Sequence, residues 1–199
     1  MAEERARLAL ARAAARLSAR YGVPLPALVL MTDDERLRDP LAAARALPRG
    51  SMVIVRARQS AHRVKLAQAM LALARTRHLI VLIADDAPLA ARLGADGLHL
   101  PETHAHTTTR WRALHPRWLI TVASHGRGLP PLAADAVLLS PVFATRSHPG
   151  RTPLGVMRAA QIASRSPKPV YALGGIDARN ATRLSPAFAG LAAIGALGV

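Results

Sequence analysis

Short apolar runs recur along the chain between longer polar or mixed segments. They are four to six residues long and contain few polar side chains, and they cover residues 28–31, 52–55, 78–83, 97–100, 118–123, 136–139, 170–173 and 191–194. Continuous rather than alternating apolar positions are typical of strands that are buried on both faces of a parallel sheet. The pattern therefore predicts eight parallel β-strands.

Segments with helical periodicity lie before and between the first four of these runs. The segments that place apolar side chains three and four positions apart are residues 3–21, 37–47, 61–76 and 88–93. Strands alternating with helices predict βαβ units, and eight repeats favour a single closed (β/α)8 barrel, the TIM barrel. An open doubly wound sheet has the same alternation, but no G-x-G-x-x-G turn follows the first strand. We divide the chain into an N-terminal amphipathic helix at 1–24 and a barrel domain at 25–199.

Composition agrees with one globular domain. The 199 residues are 51% hydrophobic, and the chain has no cysteine, which excludes disulfides, thiolate metal sites and a cysteine nucleophile. No apolar run approaches the roughly 20 residues of a membrane span, and the first 18 residues are charged and alanine-rich, without a hydrophobic signal core. We therefore expect a cytoplasmic protein without a membrane segment.

The protein is strongly basic, with a net charge of +15, and this charge bears on the kind of ligand to expect. Only Lys65 and Lys168 are lysines; the other basic residues are arginines scattered through every segment. A nucleic-acid interface is typically a clustered basic patch with aromatic side chains nearby, and neither is visible along the sequence. We expect the charge to attract anionic small substrates by long-range steering, and we do not expect nucleic acid as a partner.

The barrel places functional residues on the loops that follow the strands. Polar residues and glycines at these positions are Thr32, Asp33, Arg56, Arg58, Asp85, Asp86, His99, Glu102, Ser124, His125, Thr145, Arg146, Ser147, His148, Gly174, Gly175 and Gly195. This rim is cationic, rich in hydroxyls and glycine, and holds a few carboxylates. It predicts a site for a phosphate-bearing ligand.

One long loop, residues 139–155, carries arginines, hydroxyls, a histidine and glycines. Arginine pairs with phosphate oxygens in a bidentate fork, and we expect Thr145 and Ser147 to donate hydrogen bonds to the anion. Gly174 and Gly175 follow the seventh strand, where such barrels often hold phosphate because glycine lets backbone N–H groups approach closely. An ordinary polar connection is the alternative for the loop.

Seven short motifs keep one order from residue 28 onward. They are LVLMTD (28–33), VRAR (55–58), LGADGLHL (93–100), VASH (122–125), SPVF (140–143), PLG (153–155) and ALGGI (172–176). As a set they resemble the thiamine phosphate synthase family, which also includes the thiazole tautomerase of bacterial thiamine biosynthesis. The resemblance implies an enzyme that couples a pyrimidine pyrophosphate to a thiazole phosphate and releases pyrophosphate.

The resemblance also implies roles for individual residues. Charge builds on the departing pyrophosphate, so magnesium and cationic groups are needed there. The substrate phosphate contacts that it implies, together with the glycine pair above, are Arg56, Arg58, Thr145, Ser147, Gly174 and Gly175. Asp85 matches one ligand of Mg²⁺, whereas His104 stands where the second aspartate is expected; Glu102 is near enough to supply an oxygen under a shifted alignment.

Other departures keep two alternatives open. Ile54 and Ala84 stand where the family has a substrate-binding glutamine and asparagine. A thiazole tautomerase needs an acid/base group and a phosphate cradle but no magnesium, and His125 is the candidate, because an unperturbed imidazole titrates near pH 6.5. A non-catalytic paralogue that binds the phosphate ligand is the second alternative. A homodimer formed through an outer helix is also compatible with the sequence.

Each site residue also has a structural interpretation. Arg56 can form an ion pair with Asp33 or Asp85, Asp85 can cap the helix that follows it, and His125 can pack at the rim of the barrel. His99 is interpreted as a satisfied barrel histidine. The remaining histidines are interpreted as surface or packing residues, namely His62, His78, His104, His106 and His115.

Overall fold

The computed structural model describes residues 1–22, 24–128, 130–145 and 152–198. Eight parallel strands follow one another in chain order around a closed barrel. They are β1 Leu28–Met31, β2 Met52–Val55, β3 Ile80–Ala84, β4 Gly97–Leu100, β5 Leu119–Ser124, β6 Ala136–Leu139, β7 Val170–Ala172 and β8 Gly190–Ala193. The last strand pairs with the first, with Leu191 opposite Leu28. The predicted (β/α)8 barrel is confirmed.

Helices surround most of the barrel. They are α1 Ala2–Tyr21, α2 Pro40–Arg45, α3 Ser60–Arg77, α4 Ala87–Leu93, α5 Thr108–Leu114 and α6 Val156–Arg165. The helix predicted at 37–47 is shorter because Asp39 ends the preceding loop as its N-cap, accepting the backbone N–H of Ala42 at 2.8 Å, and Pro40 occupies the first turn.

Helix α1 packs against the outside of the barrel at β1 and β8. It buries one face, formed by Leu10, Ala13, Ala14 and Leu17. A guanidinium N–H of Arg7 donates to the Gly198 carbonyl at 3.2 Å, so the helix is also tied to the segment after β8. The division of the chain at residue 24 stays a prediction.

Two connections in the described part of the barrel contain no α-helix. Residues 125–128 and 130–135 join β5 to β6, and the turn after β7 forms only the short 3-10 helix Ala181–Arg183. Gly126 and Gly128 both have positive φ angles, of 78° and 128°, which do not continue a helix. The rim between β5 and β6 is therefore built from loop.

The barrel encloses an apolar interior that is separate from the layer beneath the helices. Its buried side chains come from alternate strand positions, and they include Val29, Met52, Ile54, Leu82, Leu138 and Tyr171. The Tyr171 hydroxyl donates to the Pro26 carbonyl at 2.6 Å, which satisfies the polar end of this buried ring.

One polar pair interrupts this interior. His99 and Thr121 are buried on neighbouring strands, and the His99 Nδ1 and the Thr121 hydroxyl lie 2.9 Å apart. His99 is thus a hydrogen-bonded barrel histidine, as the sequence predicts. Of the helices in the described ranges, none combines the length and the apolar character needed to cross a bilayer.

Candidate active site

The ends of β1 and β2 are joined by a cluster of one buried carboxylate and two arginines. Asp33 Oδ2 accepts hydrogen bonds from Arg36 Nη2, at 2.7 Å, and from Arg56 Nη2. The Thr32 hydroxyl donates to the Arg56 carbonyl and accepts from the Arg56 N–H, both at 2.8 Å. Burial alone raises the pKa of Asp33, but the hydrogen bonds from Arg36 and Arg56 outweigh it and hold that pKa well below its ordinary value.

Arg56 therefore forms an ion pair with Asp33, which is the structural role that the sequence offered as the alternative to binding phosphate. The Arg56 side chain is nevertheless 45% exposed, and a guanidinium has five N–H donors, so further donors are available for a ligand. Burial, with a smaller contribution from the positive charge of Arg56, lowers the pKa of His99 to about 4. His99 is therefore neutral near pH 7. The positive charge of Arg56 thus influences a buried side chain inside the barrel.

Arg58 lies further out on the same loop. Its side chain is 78% exposed and pairs with the Glu35 carboxylate at 2.6 Å. Its backbone N–H donates to Asp34 Oδ2 at 2.8 Å. An exposed ion pair of this kind contributes little to stability, so Arg58 can exchange Glu35 for an anionic ligand at small cost.

Asp85 and Asp86 are consecutive and have different roles at the end of β3. Asp86 is the N-cap of α4, accepting the Leu89 N–H at 3.0 Å, so Asp85 does not cap the helix. Asp85 has a left-handed φ of 51°, and its Oδ1 lies 2.7 Å from His104 Nδ1. The interpretation of His104 as a surface or packing residue is therefore incomplete, because it pairs with the predicted metal ligand.

The donor set around Asp85 does not by itself form a magnesium site. In the residues that the structure describes, no three His, Asp or Glu side chains are grouped closely enough to hold a metal ion. The neighbour of Asp85 is a ring nitrogen, whereas Mg²⁺ prefers oxygen ligands in an octahedral arrangement. Glu102, considered above as a second oxygen ligand, bonds to His125 instead.

Glu102 and His125 form a two-point contact between the loops after β4 and β5. Glu102 Oε1 accepts the His125 backbone N–H at 2.9 Å, and Glu102 Oε2 lies 2.7 Å from His125 Nδ1. Burial raises the pKa of Glu102, but the hydrogen bonds from the His125 backbone and side chain outweigh it and lower that pKa below its ordinary value. Glu102 is therefore a carboxylate at neutral pH.

Gly174 and Gly175 lie where the loop after β7 crosses the loop after β6. Their φ angles are 95° and 66°, in the left-handed region that favours glycine. The Gly174 carbonyl accepts the Phe143 N–H at 3.0 Å, which joins the two loops. Among the described residues, no acceptor takes the N–H of Gly174 or Gly175, so both are available to an anion.

These contacts follow the circle of strands. The Arg56 group links β1 to β2, His104 links β3 to β4, Glu102 links β4 to β5, and Gly174 links β6 to β7. The sequence pattern did not indicate the pair of Asp85 with His104 or the pair of Glu102 with His125. The order of the strands was the one available indication of these pairs, because neighbouring parallel strands place the loops that follow them side by side.

Part of the predicted site lies outside the described residues. Ser147 and His148, with the arginine between Thr145 and Ser147, belong to the segment 146–151. Thr145 is described and half-buried at the start of that segment. Gly195, at the end of β8, begins the 3-10 helix Gly195–Leu197.

Together, the fold and the rim define a (β/α)8 barrel that gathers arginines, carboxylates, histidines and a glycine pair at the carboxyl ends of its strands, where such barrels hold their active sites. The family model for thiamine monophosphate synthase matches residues 28–197. The chain therefore belongs to the thiamine monophosphate synthase family.

Individual relatives agree with this membership. A thiamine-phosphate synthase of Anaeromyxobacter dehalogenans is 33% identical over 165 residues, which cover 78% of this chain and 74% of that protein. A protein of Aquifex aeolicus that carries a thiamine-phosphate synthase name is 33% identical over 116 residues, 56% of this chain and 62% of that protein. The structure of a thiamine phosphate pyrophosphorylase from Pyrococcus furiosus superposes with a TM-score of 0.66 at 19% identity, covering 86% of this chain and 87% of that chain. The last likeness is one of fold.

Proposed function

We propose that the chain is a thiamine phosphate synthase-like enzyme of thiamine biosynthesis, which couples a pyrimidine pyrophosphate to a thiazole phosphate and releases pyrophosphate. The observation that carries the proposal is the family match over residues 28–197, which spans the whole barrel. The relatives' names support it, and so do the exposed arginines Arg56 and Arg58 at the strand ends. The cytoplasmic location and a homodimer stay predictions.

The rim residues supply the electrostatics that this reaction requires. Negative charge grows on the pyrophosphate as its bond to the pyrimidine breaks, and preorganised cations stabilise it without reorganising. Arg56 is held in place by Asp33 and still exposes donors, and Arg58 needs only to leave Glu35. Thr145 and Ser147 are proposed as hydroxyl donors to the same group.

The second phosphate, on the thiazole, is assigned to the glycine pair. The N–H groups of Gly174 and Gly175 have no acceptor among the described residues, and glycine lets the backbone approach an anion closely. Any Mg²⁺ at the rim would have Asp85 as its one carboxylate ligand and would depend on the ligand's phosphate oxygens.

A thiazole tautomerase is the second candidate function, and one observation favours it. His125 is paired with a carboxylate at 2.7 Å, an arrangement used to orient acid/base histidines, and moving a proton on a thiazole carboxylate phosphate requires such a group. This reaction also needs only a phosphate cradle and no divalent ion.

Calorimetric titration distinguishes the candidates. Purified protein is titrated with the thiazole phosphate and with the pyrimidine pyrophosphate, each with and without magnesium. Pyrophosphate release is then measured on the same protein with both substrates present together. Magnesium-dependent pyrimidine pyrophosphate binding with pyrophosphate release supports the synthase. Binding of the thiazole phosphate alone, indifferent to magnesium and without release, contradicts it and favours the tautomerase or the non-catalytic paralogue.

Replacing Arg56 by alanine is expected to weaken pyrophosphate binding about tenfold or more, because a charge-assisted hydrogen bond contributes about 1.5–3 kcal/mol. The dissociation constant of inorganic pyrophosphate, measured by calorimetry, reports the change. Arg75→Ala is the matched control, since Arg75 is an exposed arginine in the last turn of α3, remote from the strand ends. Equal affinities of the two variants would show that the anion site is not at the carboxyl face.

A further inference from the structure

We propose that Glu102 is a positioning residue that holds the neutral His125 ring as its Nδ1–H tautomer and presents the basic Nε2 to the ligand. The inference rests on the second candidate function above, in which His125 moves the proton. It adds a residue that the sequence analysis considered only as an oxygen ligand for a metal ion.

The contact fixes the direction of the imidazole. Adjacent strands β4 and β5 run in register, with Leu100 opposite Val122, so the residues just after them meet. Glu102 begins the 3-10 helix Glu102–Thr107, and His125 directly follows β5. Two bonds, at 2.9 Å from the backbone and 2.7 Å from the ring, hold the same carboxylate against the same residue. One bond alone would let the ring rotate.

The chemistry of the carboxylate decides which ring nitrogen carries the proton. An ionised carboxylate only accepts hydrogen bonds, so the ring nitrogen facing it must be protonated. His125 Nδ1 is that nitrogen, and in the neutral ring Nε2 then has the lone pair. Among the described residues none bonds to Nε2, which leaves this atom available to a ligand.

The Glu102–His125 pair is partly exposed to solvent, and the loop that carries His125 is held by hydrogen bonds. Side-chain exposure is 26% for His125 and 34% for Glu102. The neighbouring Ser124 hydroxyl accepts the Gly126 N–H at 3.1 Å, so the loop after β5 is braced on the other side of His125 as well. The ring is held at Nδ1 by Glu102 on a loop that is itself hydrogen-bonded, and Nε2 is left to transfer the proton.

The Glu102→Gln variant tests the assignment without any substrate. Glutamine has one terminal oxygen, and the His125 backbone N–H takes it, because a backbone N–H is an obligatory donor. The amide NH₂ then faces Nδ1 and requires that nitrogen to accept. We expect nitrogen-15 NMR of the neutral ring to show Nδ1–H in the wild type and a change to mainly Nε2–H in Glu102→Gln. His125→Asn assigns the signal.

Glu35→Gln is the matched control, since Glu35, on the loop after β1, is an exposed carboxylate that pairs with Arg58 and lies away from β4 and β5 in the barrel order. It should leave the His125 spectrum unchanged. An Nε2–H ring in the wild type, or an Nδ1–H ring that persists in Glu102→Gln, would overturn the proposal. Glu102→Ala, checked by circular dichroism for an intact fold, should lose the Nδ1–H preference and so separates loss of the acceptor from inversion by the amide.

Activity measurements then separate this inference from the function on which it rests. If the chain is a tautomerase, Glu102→Gln should lower turnover of the thiazole carboxylate phosphate about a hundredfold, because the wrong tautomer presents a proton where a base is needed. Ligand affinity should change little, so the loss falls on kcat rather than KM. Expected NMR spectra without wild-type turnover would overturn the tautomerase and retain the tautomer assignment. A wild-type rate in Glu102→Gln would overturn the positioning role.

Discussion

Gly175→Ala is expected to destabilise the barrel by about 3 kcal/mol or more, combining the strain of a left-handed alanine with overpacking. Gly175 has a φ of 66°, and a Cβ built on it would lie 2.2 Å from the Ala144 carbonyl oxygen and 2.9 Å from the Phe143 carbonyl carbon. Both atoms are backbone, so no side-chain rotation relieves the contact. The loops after β6 and β7 must move apart, and urea unfolding measures the cost.

Gly94→Ala separates the two causes of this loss. Gly94 has the same φ, 66°, but a Cβ there would meet no atom within 4 Å. Only the left-handed strain remains, which amounts to about 1–2 kcal/mol. Gly175→Ala should therefore lose more stability than Gly94→Ala, and it should also weaken binding of inorganic phosphate, because its N–H group is displaced. Equal losses in the two variants would contradict the close approach of the loops.

Asp33→Asn is expected to cost about 2–3 kcal/mol of stability near neutral pH, because it leaves two arginines without their shared carboxylate. Asp33 has only 7% of its side chain exposed, so solvent screens its interaction with Arg36 and Arg56 only weakly. The free energy of unfolding in urea, compared between wild type and variant, measures the effect. Glu35→Gln, in an exposed ion pair, should cost well under about 1 kcal/mol.

The pH dependence of this difference has a definite sign. The folded pKa of Asp33 is depressed below its unfolded value near 3.9, so the folded state binds fewer protons at acid pH. The stabilisation is fully present above about pH 4 and is lost as the pH falls further. The gap between wild type and Asp33→Asn should therefore be constant from pH 5 to 7 and narrow below pH 4. If the difference in unfolding free energy stayed constant below about pH 4, the hydrogen bonds from Arg36 and Arg56 would not be lowering the pKa of Asp33.

Strand positions were predictable because they depend on local pattern. A strand buried on both faces requires an unbroken apolar run, and all eight runs became strands within two residues of the predicted bounds. Helix ends were less predictable, as at Pro40, where the cap residue and not the apolar pattern sets the start. The motif set was equally local, and it indicated the family that the family model then matched.

Pairing at the rim depends on contacts that the pattern does not contain. Asp85 and Asp86 are adjacent in sequence, yet the positive φ of Asp85 sends one toward His104 and leaves the other to cap α4. Glu102 and His125 are 23 residues apart, and only the parallel neighbours β4 and β5 bring them together.

The sequence by itself thus determined the barrel, the family and the set of strand-end residues, because apolar runs and short motifs are properties of local segments. The tertiary structure alone decided which charges are neutralised within the protein and which remain for a ligand. Asp33 holds Arg56 in place, His104 pairs with Asp85, and Glu102 orients His125. Closure of the barrel brings successive loops within hydrogen-bond distance, and that closure is a property of the whole chain.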